Sequence, residues 1–440
     1  MNTKEMELQK IAESTGSTQT ALSNEQRDEY LHTALEAGKL SLGNGSETAR
    51  CYNIVKNILK SSGSENYVAT VISKSIFASL DGKTEIATAE RAGTNLNRIC
   101  VANDISHAVA DGKLGLKEAR EKLSVLSQTK LYNFVLRLLA YVVAMVATPI
   151  FLNCTIVDCA AATVCGVIMA FVDALFRRIR IHTFASIFTQ TLIMVICGGL
   201  SVIFSRGYVS LYAVVVAAIM PMFPGLALTN AVRDTLQGDY VSGAGRLMEA
   251  FMSALAISLG VAVGLVVSVL ATGTQFEQLF DTPFGVITDT PYLFWIYAAA
   301  ALFYSAGYCI LFEVPPKFII WSALVGCAGK TLCMYINYHT DSEVWGTFLA
   351  TLVVALLAQI FARIFKAPAT PFLIAGIMAL VPGRSLYASI STIIDGAYAE
   401  GSTELLRTLM IAGAIALAIF LVDTIFLTAH RIKNRKIMKQ

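Results

Sequence analysis

Charge is scarce in this chain. Asp, Glu, Lys and Arg make up 15% of its 440 residues and the net charge is +3, whereas soluble domains usually carry about 25% charged residues. So small a net charge gives no argument for a nucleic-acid footprint. The opening MNTKEMELQKIAESTGSTQT is polar and has no basic start followed by an apolar core, so no signal peptide is expected. Nine cysteines form no C-x-x-C pair, and they read as small apolar residues inside helices. The five histidines include no H-E-x-x-H, and no G-x-S-x-G is present. His32 and His107 lack the spaced partners of a metal site. Neither a metal, a cofactor nor an enzymatic centre is expected.

What the chain has in excess is apolar length: 55% of its residues are hydrophobic and the mean hydropathy is +0.61. Residues 1–130 hold most of the Lys and Glu, while beyond them uncharged runs of about 18 or more recur, each long enough to span a bilayer. Ten crossings are predicted, at 134–153, 156–176, 184–204, 209–223, 251–270, 292–312, 318–336, 345–364, 371–381 with its continuation, and 405–426. The organisation expected is a disordered segment (1–24), a cytoplasmic α/β domain (25–130) and two five-helix modules (131–270 and 292–430). An extracellular linker (271–291) joins the modules and a basic cytoplasmic tail (431–440) ends the chain. In the α/β domain, helices are predicted over 25–39, ending near Gly38, and to Lys60. One or two strands are predicted in ENYVATVISKSIFASLDGK, and helices again in the two stretches after it.

Loop charges give the sidedness. Arg177, Arg178, Arg180, Lys317, Arg363, Lys366 and the tail RIKNRKIMKQ fall on one side, and the linker and NYHTDSEV, acidic and free of Lys and Arg, on the other. Only Arg206 runs against this pattern. Basic residues concentrate in the cytoplasm, so both termini are expected there.

Between two apolar runs stands IMPMFPGLALTNAVRDTLQGDY, and IMALVPGRSLYASISTIIDGAY lies on it without a gap. Ile219, Met220, Pro224, Gly225, Leu228, Gly238 and Tyr240 meet Ile377, Met378, Pro382, Gly383, Leu386, Gly396 and Tyr398, each 158 residues later. Further on, Arg246 meets Glu404 and Glu249 meets Arg407, an ion pair with its signs exchanged. Five crossings separate the copies, so the second is inverted in the membrane. Inverted repeats with broken helices are a common plan of secondary transporters, with the solute bound where the breaks meet. Freed backbone groups are tolerated at such depth only where protein or a polar cavity shields them from lipid.

These motifs resemble the threonine/serine exporter family, in the form that fuses a soluble domain and five crossings to a smaller five-crossing module. PGLALTNAVRDTLQGDYVSGAGRLMEA follows the family pattern at Pro224, Gly225, Thr229, Asn230, Arg233, Asp234, Gly238, Asp239, Ser242, Gly243, Arg246 and Glu249. VPGRSLYASISTIIDGAY resembles the second module's signature through Pro382, Gly383 and Gly396. In the soluble domain a Thr-Pro-Thr-Gly segment of the family is replaced by ATVISKSIFASL, so no activity is carried over to it. The resemblance implies a multi-pass protein of the bacterial inner membrane that exports threonine and serine in exchange for protons. Relatives split into two polypeptides resemble succinate exporters, so a dicarboxylate is the alternative substrate.

Both substrates carry a carboxylate, and the implied binding set is Pro224, Gly225, Thr229, Asn230 and Arg233 with Pro382, Gly383, Arg384 and Ser385. The positive helix end after Gly225 suits an anion. Thr229 and Asn230 suit either substrate hydrogen bonds or capping of the helix after Pro224. Arg233 and Asp234 read as a gate ion pair or as solvated surface, and Asp239, Arg246 and Glu249 as gating or loop-anchoring residues. Asp158, Asp173, Asp395 and Asp423 are proton-relay candidates because a membrane carboxylate is costly, with an i,i+4 pair to Arg177 the rival role for Asp173. The partners expected are the solute, protons and lipid, without nucleic acid, and homo-oligomerisation is left open. A channel, a membrane enzyme and a receptor are the rival classes. A continuous pore, a closed catalytic triad or tight packing without a polar cavity would favour each in turn.

Overall fold

The computed structural model describes residues 22–90, 93–152, 154–179, 181–272, 293–340, 342–394 and 396–437. The expected segment 1–24 and linker 271–291 fall largely outside them, as do residues 438–440 of the expected tail, whose residues 431–437 continue the last helix. The chain divides into two units, Met1–Gly93 with Arg98–Thr129, and Thr94–Asn97 with Lys130–Gln440.

In the first unit, α1 (Asn24–Gly43) starts at a capping box in which Ser23 and Gln26 satisfy each other's backbone N–H groups. It continues past Gly38, the expected stop. A Cβ on Gly38 would lie 2.8 Å from Val55 Cγ2, so this glycine serves the close approach of α2 (Thr48–Lys60). Three strands follow as an antiparallel meander, β1 (Tyr67–Ile72), β2 (Ser75–Leu80) and β3 (Lys83–Thr88). The third exceeds the one or two expected. Asp81 and Gly82 both take positive φ (47° and 82°) between paired Leu80 and Lys83, the two-residue turn that suits the twist of a hairpin. Ile76, Ala78 and Leu80 alternate inward from β2 onto Leu31, Ile54 and Ile58, and α3 (Leu96–Ala110) and α4 (Leu116–Gln128) supply Ala102, Ile105 and Leu123 to the same core.

The second unit is a polytopic helical membrane fold made of the same six pieces twice. The first set is α5 (Phe134–Phe151), α6 (Ile156–Ile179), α7 (Thr183–Phe204), α8 (Leu211–Ile219), α9 (Gly225–Leu236) and α10 (Tyr240–Thr272). The second is α11 (Leu293–Leu311), α12 (Ile319–Thr340), α13 (Glu343–Ile364), α14 (Thr370–Met378), α15 (Gly383–Ile394) and α16 (Tyr398–Ile437). Packing repeats as well. α5 lies on α6 as α11 lies on α12, α7 on α10 as α13 on α16, and α5 meets α11 between the halves.

Eight described helices are long and apolar enough to cross a membrane, or nine if the pair around Pro224, bent by 47°, is one span. The tenth expected crossing would consist of α14 and α15. At 1.5 Å per residue, the nine residues of α14 extend only about 14 Å, under half of a hydrocarbon core of about 30 Å. Outward faces are apolar, as at Val164, Phe171, Leu175 and Trp295, all exposed in the isolated chain. Exposed apolar surface on this scale suits contact with lipid tails.

Where helices touch, small residues let the backbones close up. A Cβ on Gly166 of α6 would lie 2.9 Å from Val142 Cα of α5, a backbone atom that cannot swing away. Gly166→Leu is expected to cost about 1–3 kcal/mol by overpacking, read as earlier thermal unfolding in detergent. Gly413→Ala, whose new Cβ meets nothing within 4 Å, is the control and should unfold no earlier than the wild type.

Candidate functional site

The two Pro-Gly breaks repeat one another bond for bond. Gly225 N donates to Phe223 O at 2.8 Å and Gly383 N to Val381 O at 2.9 Å. Leu228 N donates to Pro224 O at 3.0 Å and Leu386 N to Pro382 O at 3.1 Å. Gly238 and Gly396 turn the chain after each short helix at φ 90° and 84°, values that side chains with a Cβ rarely adopt. Then Gly243 packs on Ala231 O as Gly401 packs on Ser389 O, at 2.9 and 3.1 Å from their would-be Cβ atoms.

The breaks also touch each other, and reciprocally. A Cβ on Gly225 would meet Met378 Sδ at 3.1 Å, while a Cβ on Gly383 would meet Met220 Sδ at 2.8 Å. Gly225 corresponds to Gly383 and Met220 to Met378, so residue i meets j′ as i′ meets j, the contact signature of a twofold relation. α9 touches α14 just as α15 touches α8.

A cavity of about 1050 Å³ adjoins this meeting point. The turn Met378–Pro382 forms one wall, and Thr148, Val216 and Met220 of the first half also line it. Lys330, Asn337, Glu343, Ser385, Glu404 and Arg407 bring polar groups from the second half, and Ser342 of the α12–α13 turn marks how far toward that end the cavity reaches. Arg407 faces Glu343 at 3.4 Å and Glu404 at 3.7 Å, half-exposed contacts in which its charge is shared. Ser385 Oγ donates to Glu343 Oε2 at 3.5 Å, and Tyr304 donates its hydroxyl to Met378 O at 3.3 Å.

A second polar cluster is partly buried, with Arg233 its most enclosed member. Arg233 Nη2 of α9 donates to Asp423 Oδ2 of α16 at 2.6 Å, and Gln359 Nε2 of α13 donates to Asp423 Oδ1, also at 2.6 Å. Beside them Arg246 Nε pairs with the fully buried Asp234 Oδ2 at 2.8 Å. Asp423 lies twelve residues beyond the cavity residue Ile411 on α16, and Gln359 twelve beyond Thr347 on α13. At 1.5 Å per residue the cluster stands about 18 Å along both helices from the cavity.

Of the residues expected to bind solute, Pro382 and Ser385 line the cavity, and Gly225 and Gly383 carry the contact between the breaks. Pro224, Thr229, Asn230 and Arg233 are not among the lining residues. Thr229 Oγ1 donates back to Gly225 O at 2.8 Å, and Asn230 is buried in α9. Arg384 belongs to α15, but its side chain, like the whole of Asp395, lies outside the described residues.

Among the other candidates, Asp239 Oδ1 accepts from Ser242 N in the first turn of α10. Glu249 stands half-exposed further along that helix. Asp173 accepts from Arg177 one turn on at 2.8 Å and from Arg137 at 3.1 Å, and Arg137 also reaches Glu313 at 3.4 Å. Asp158 accepts from Thr155 N and Ser210 N, tying the first turn of α6 to the start of α8.

Lys330 was not among the candidates. It lies in the middle of the apolar run 318–336, and a lone cation at the centre of a crossing was the signal that could have found it. Among the described residues no group of three His, Cys, Asp or Glu side chains could hold a metal ion.

Residues 32–268 match the family model described as "Putative threonine/serine exporter", and residues 297–425 match that described as "Threonine/Serine exporter, ThrE". A Haemophilus influenzae protein described as "Uncharacterized protein" is 26% identical over 133 residues, which are 28% of this chain and 44% of that relative. The chain therefore spans under half the length of that relative. No solved structure matches. Both models match in chain order, the boundary between them falls between the two sets of helices, and the first alone takes in more than half of the residues. The protein belongs to the threonine/serine exporter family, with both modules on one polypeptide.

Proposed function

We propose that this protein is a secondary active exporter of threonine and serine that works by alternating access and exchanges them for protons across a bacterial inner membrane. The observation that carries the reading is the reciprocal packing of the two broken helices beside a polar cavity. Two copies of one fold that meet on a twofold can each open the site to one side, by rocking one repeat against the other.

In this reading the repeats are inverted, α8–α9 and α14–α15 are each one broken span, and the crossings number ten. Both termini are cytoplasmic, as the positions of Arg177, Arg178, Lys317, Arg363 and Lys366 favour. The cavity, which reaches the acidic α12–α13 turn, then faces outward, and the partly buried Arg233–Asp423–Gln359 cluster closes the cytoplasmic side. Asp423 serves as the coupling carboxylate. Protonation would release Arg233 and let α9 separate from α16. Asp234 and Arg246 brace α9 against α10 in that closed state.

A dicarboxylate is the second reading. Lys330 and Arg407 place two cations in one cavity, which suits two carboxylates. Flux in reconstituted vesicles separates the readings. Threonine or serine counterflow that accelerates under an imposed proton gradient is the expected result. Succinate movement without threonine or serine movement would shift the substrate to a dicarboxylate, and movement of none of the three would overturn the exporter reading.

A further inference from the structure

Lys330 is the one charged residue of α12 between Ile319 and Tyr338. It stands eleven residues from Ile319 and ten from Thr340, about 15 Å from either end at 1.5 Å per residue, hence near mid-membrane. A charge at that depth is costly and is retained where it faces a polar cavity or a partner. Lys330 faces the cavity and is half-buried. None of the ion pairs among the described residues includes it, and its ammonium sits over the Phe151 ring, 4.8 Å from the centroid. The other charges on the cavity wall are Glu343, Glu404 and Arg407; the two carboxylates share the one guanidinium, and Glu343 acts on Lys330 through its field without coming within ion-pair distance. The cavity thus holds a cation at half-depth whose contact is an aromatic face and whose hydrogen-bond donors have no carboxylate.

We infer that Lys330 is the group that binds the carboxylate of the transported solute, with Phe151 holding the ammonium in place on the first repeat. The inference rests on the exporter reading. Phe151 belongs to α5 and Lys330 to α12, so a solute bound here touches both halves of the protein. A carboxylate that draws the ammonium off the ring would loosen that contact between the halves as it binds. Lys330 lines the same cavity as Met378–Pro382 of the break. A charge-assisted hydrogen bond is the strongest single contact available to a small carboxylate in such a place. The inference commits to the carboxylate only, which threonine, serine and succinate share.

The test compares acids with their amides on the full-length protein. Binding of threonine, serine and succinate, and of threoninamide, serinamide and succinamide, is measured as thermal stabilisation in detergent and as flux in vesicles. Wild type is expected to take an acid and reject its amide. Lys330→Met, which keeps the length of the side chain and adds no buried polar atom, is expected to weaken acid binding by about tenfold or more and to abolish the preference over the amide. Lys330→Arg is expected to keep the preference, which separates a lost charge from a misfolded protein. Wild-type acid affinity and acid preference in Lys330→Met would overturn the inference while leaving the exporter reading intact. So would normal binding with loss of the proton-gradient effect alone, since that would make Lys330 a coupling group. If wild type neither binds nor moves any of the three acids, the exporter reading fails and this inference with it.

Discussion

Asp423→Asn is expected to lower gradient-driven export by at least about tenfold and to advance thermal unfolding. Asp423 joins the halves. It accepts from Arg233 of the first repeat and Gln359 of the second, both at 2.6 Å, and the Arg233 side chain is 8% exposed. Taking one partner from a buried ion pair costs about 3–5 kcal/mol because a desolvated charge loses its counter-charge. Even half of that exceeds the 1.4 kcal/mol that corresponds to about tenfold in an equilibrium. If the pair forms only while the cytoplasmic side is closed, the loss falls on that one state and the exporter leaks or stalls. The double variant Arg233→Gln/Asp423→Asn removes both charges and is expected to recover thermal stability without recovering coupled export. Wild-type export by Asp423→Asn would exclude this carboxylate from gating and coupling. Export that fails while unfolding stays unchanged would confine its role to the proton.

Gly383→Leu is expected to abolish transport, and Met220→Ala placed with it to restore a measurable part. A side chain at 383 must occupy the space of the Met220 thioether, whose Sδ lies 2.8 Å from the would-be Cβ. Methionine is flexible, so an added methyl group displaces it cheaply, whereas leucine needs the whole volume. The mirrored pair, Gly225→Leu with Met378→Ala, is expected to behave alike because Gly225 meets Met378 in the same way, at 3.1 Å from Sδ. Neighbours that share one space show non-additive effects, and the double-variant cycle measures that coupling directly. Both variants should reach the membrane, since each glycine follows a proline at the start of a short helix and takes no positive φ. Rescue in both cycles would establish the reciprocal contact as part of the transport path. Additive losses in both would show that the breaks do not work against each other.

Much of the membrane unit was legible because lipid imposes a blunt rule on sequence. A crossing needs about 20 apolar residues, so the runs from 134–153 to 405–426 announce themselves, and eight of them are helices long enough to span. The gap-free offset of 158 also carried far. It marks two breaks at Pro224-Gly225 and Pro382-Gly383 and matches Gly238 to Gly396, which the structure shows to be turns, and the backbone hydrogen bonds of the two copies coincide. In the soluble unit the third strand is not evident in the sequence, because LDGK fits the end of a strand as well as the two-residue turn of a hairpin.

Side-chain partners were less legible, since spacing along a helix says which face a residue shares but not what the facing helix brings. Asp423 and Arg233 were both singled out, yet 190 positions separate them in the chain and nothing local links them. Thr229 suits a ligand or a cap by its sequence position, and in the fold its hydroxyl donates to the carbonyl of its own helix at Gly225. Lys330 belongs to no motif, and its meaning depends on a cavity that only the folded chain encloses. Sequence alone determined the membrane class, the repeat and the positions of its breaks, because hydropathy, Pro-Gly chemistry and internal identity are local or periodic properties. Tertiary structure alone decided which break touches which methionine, which carboxylate neutralises Arg233 and which cation faces the cavity. Those are matters of distance between segments far apart in the chain, and packing of whole helices sets them.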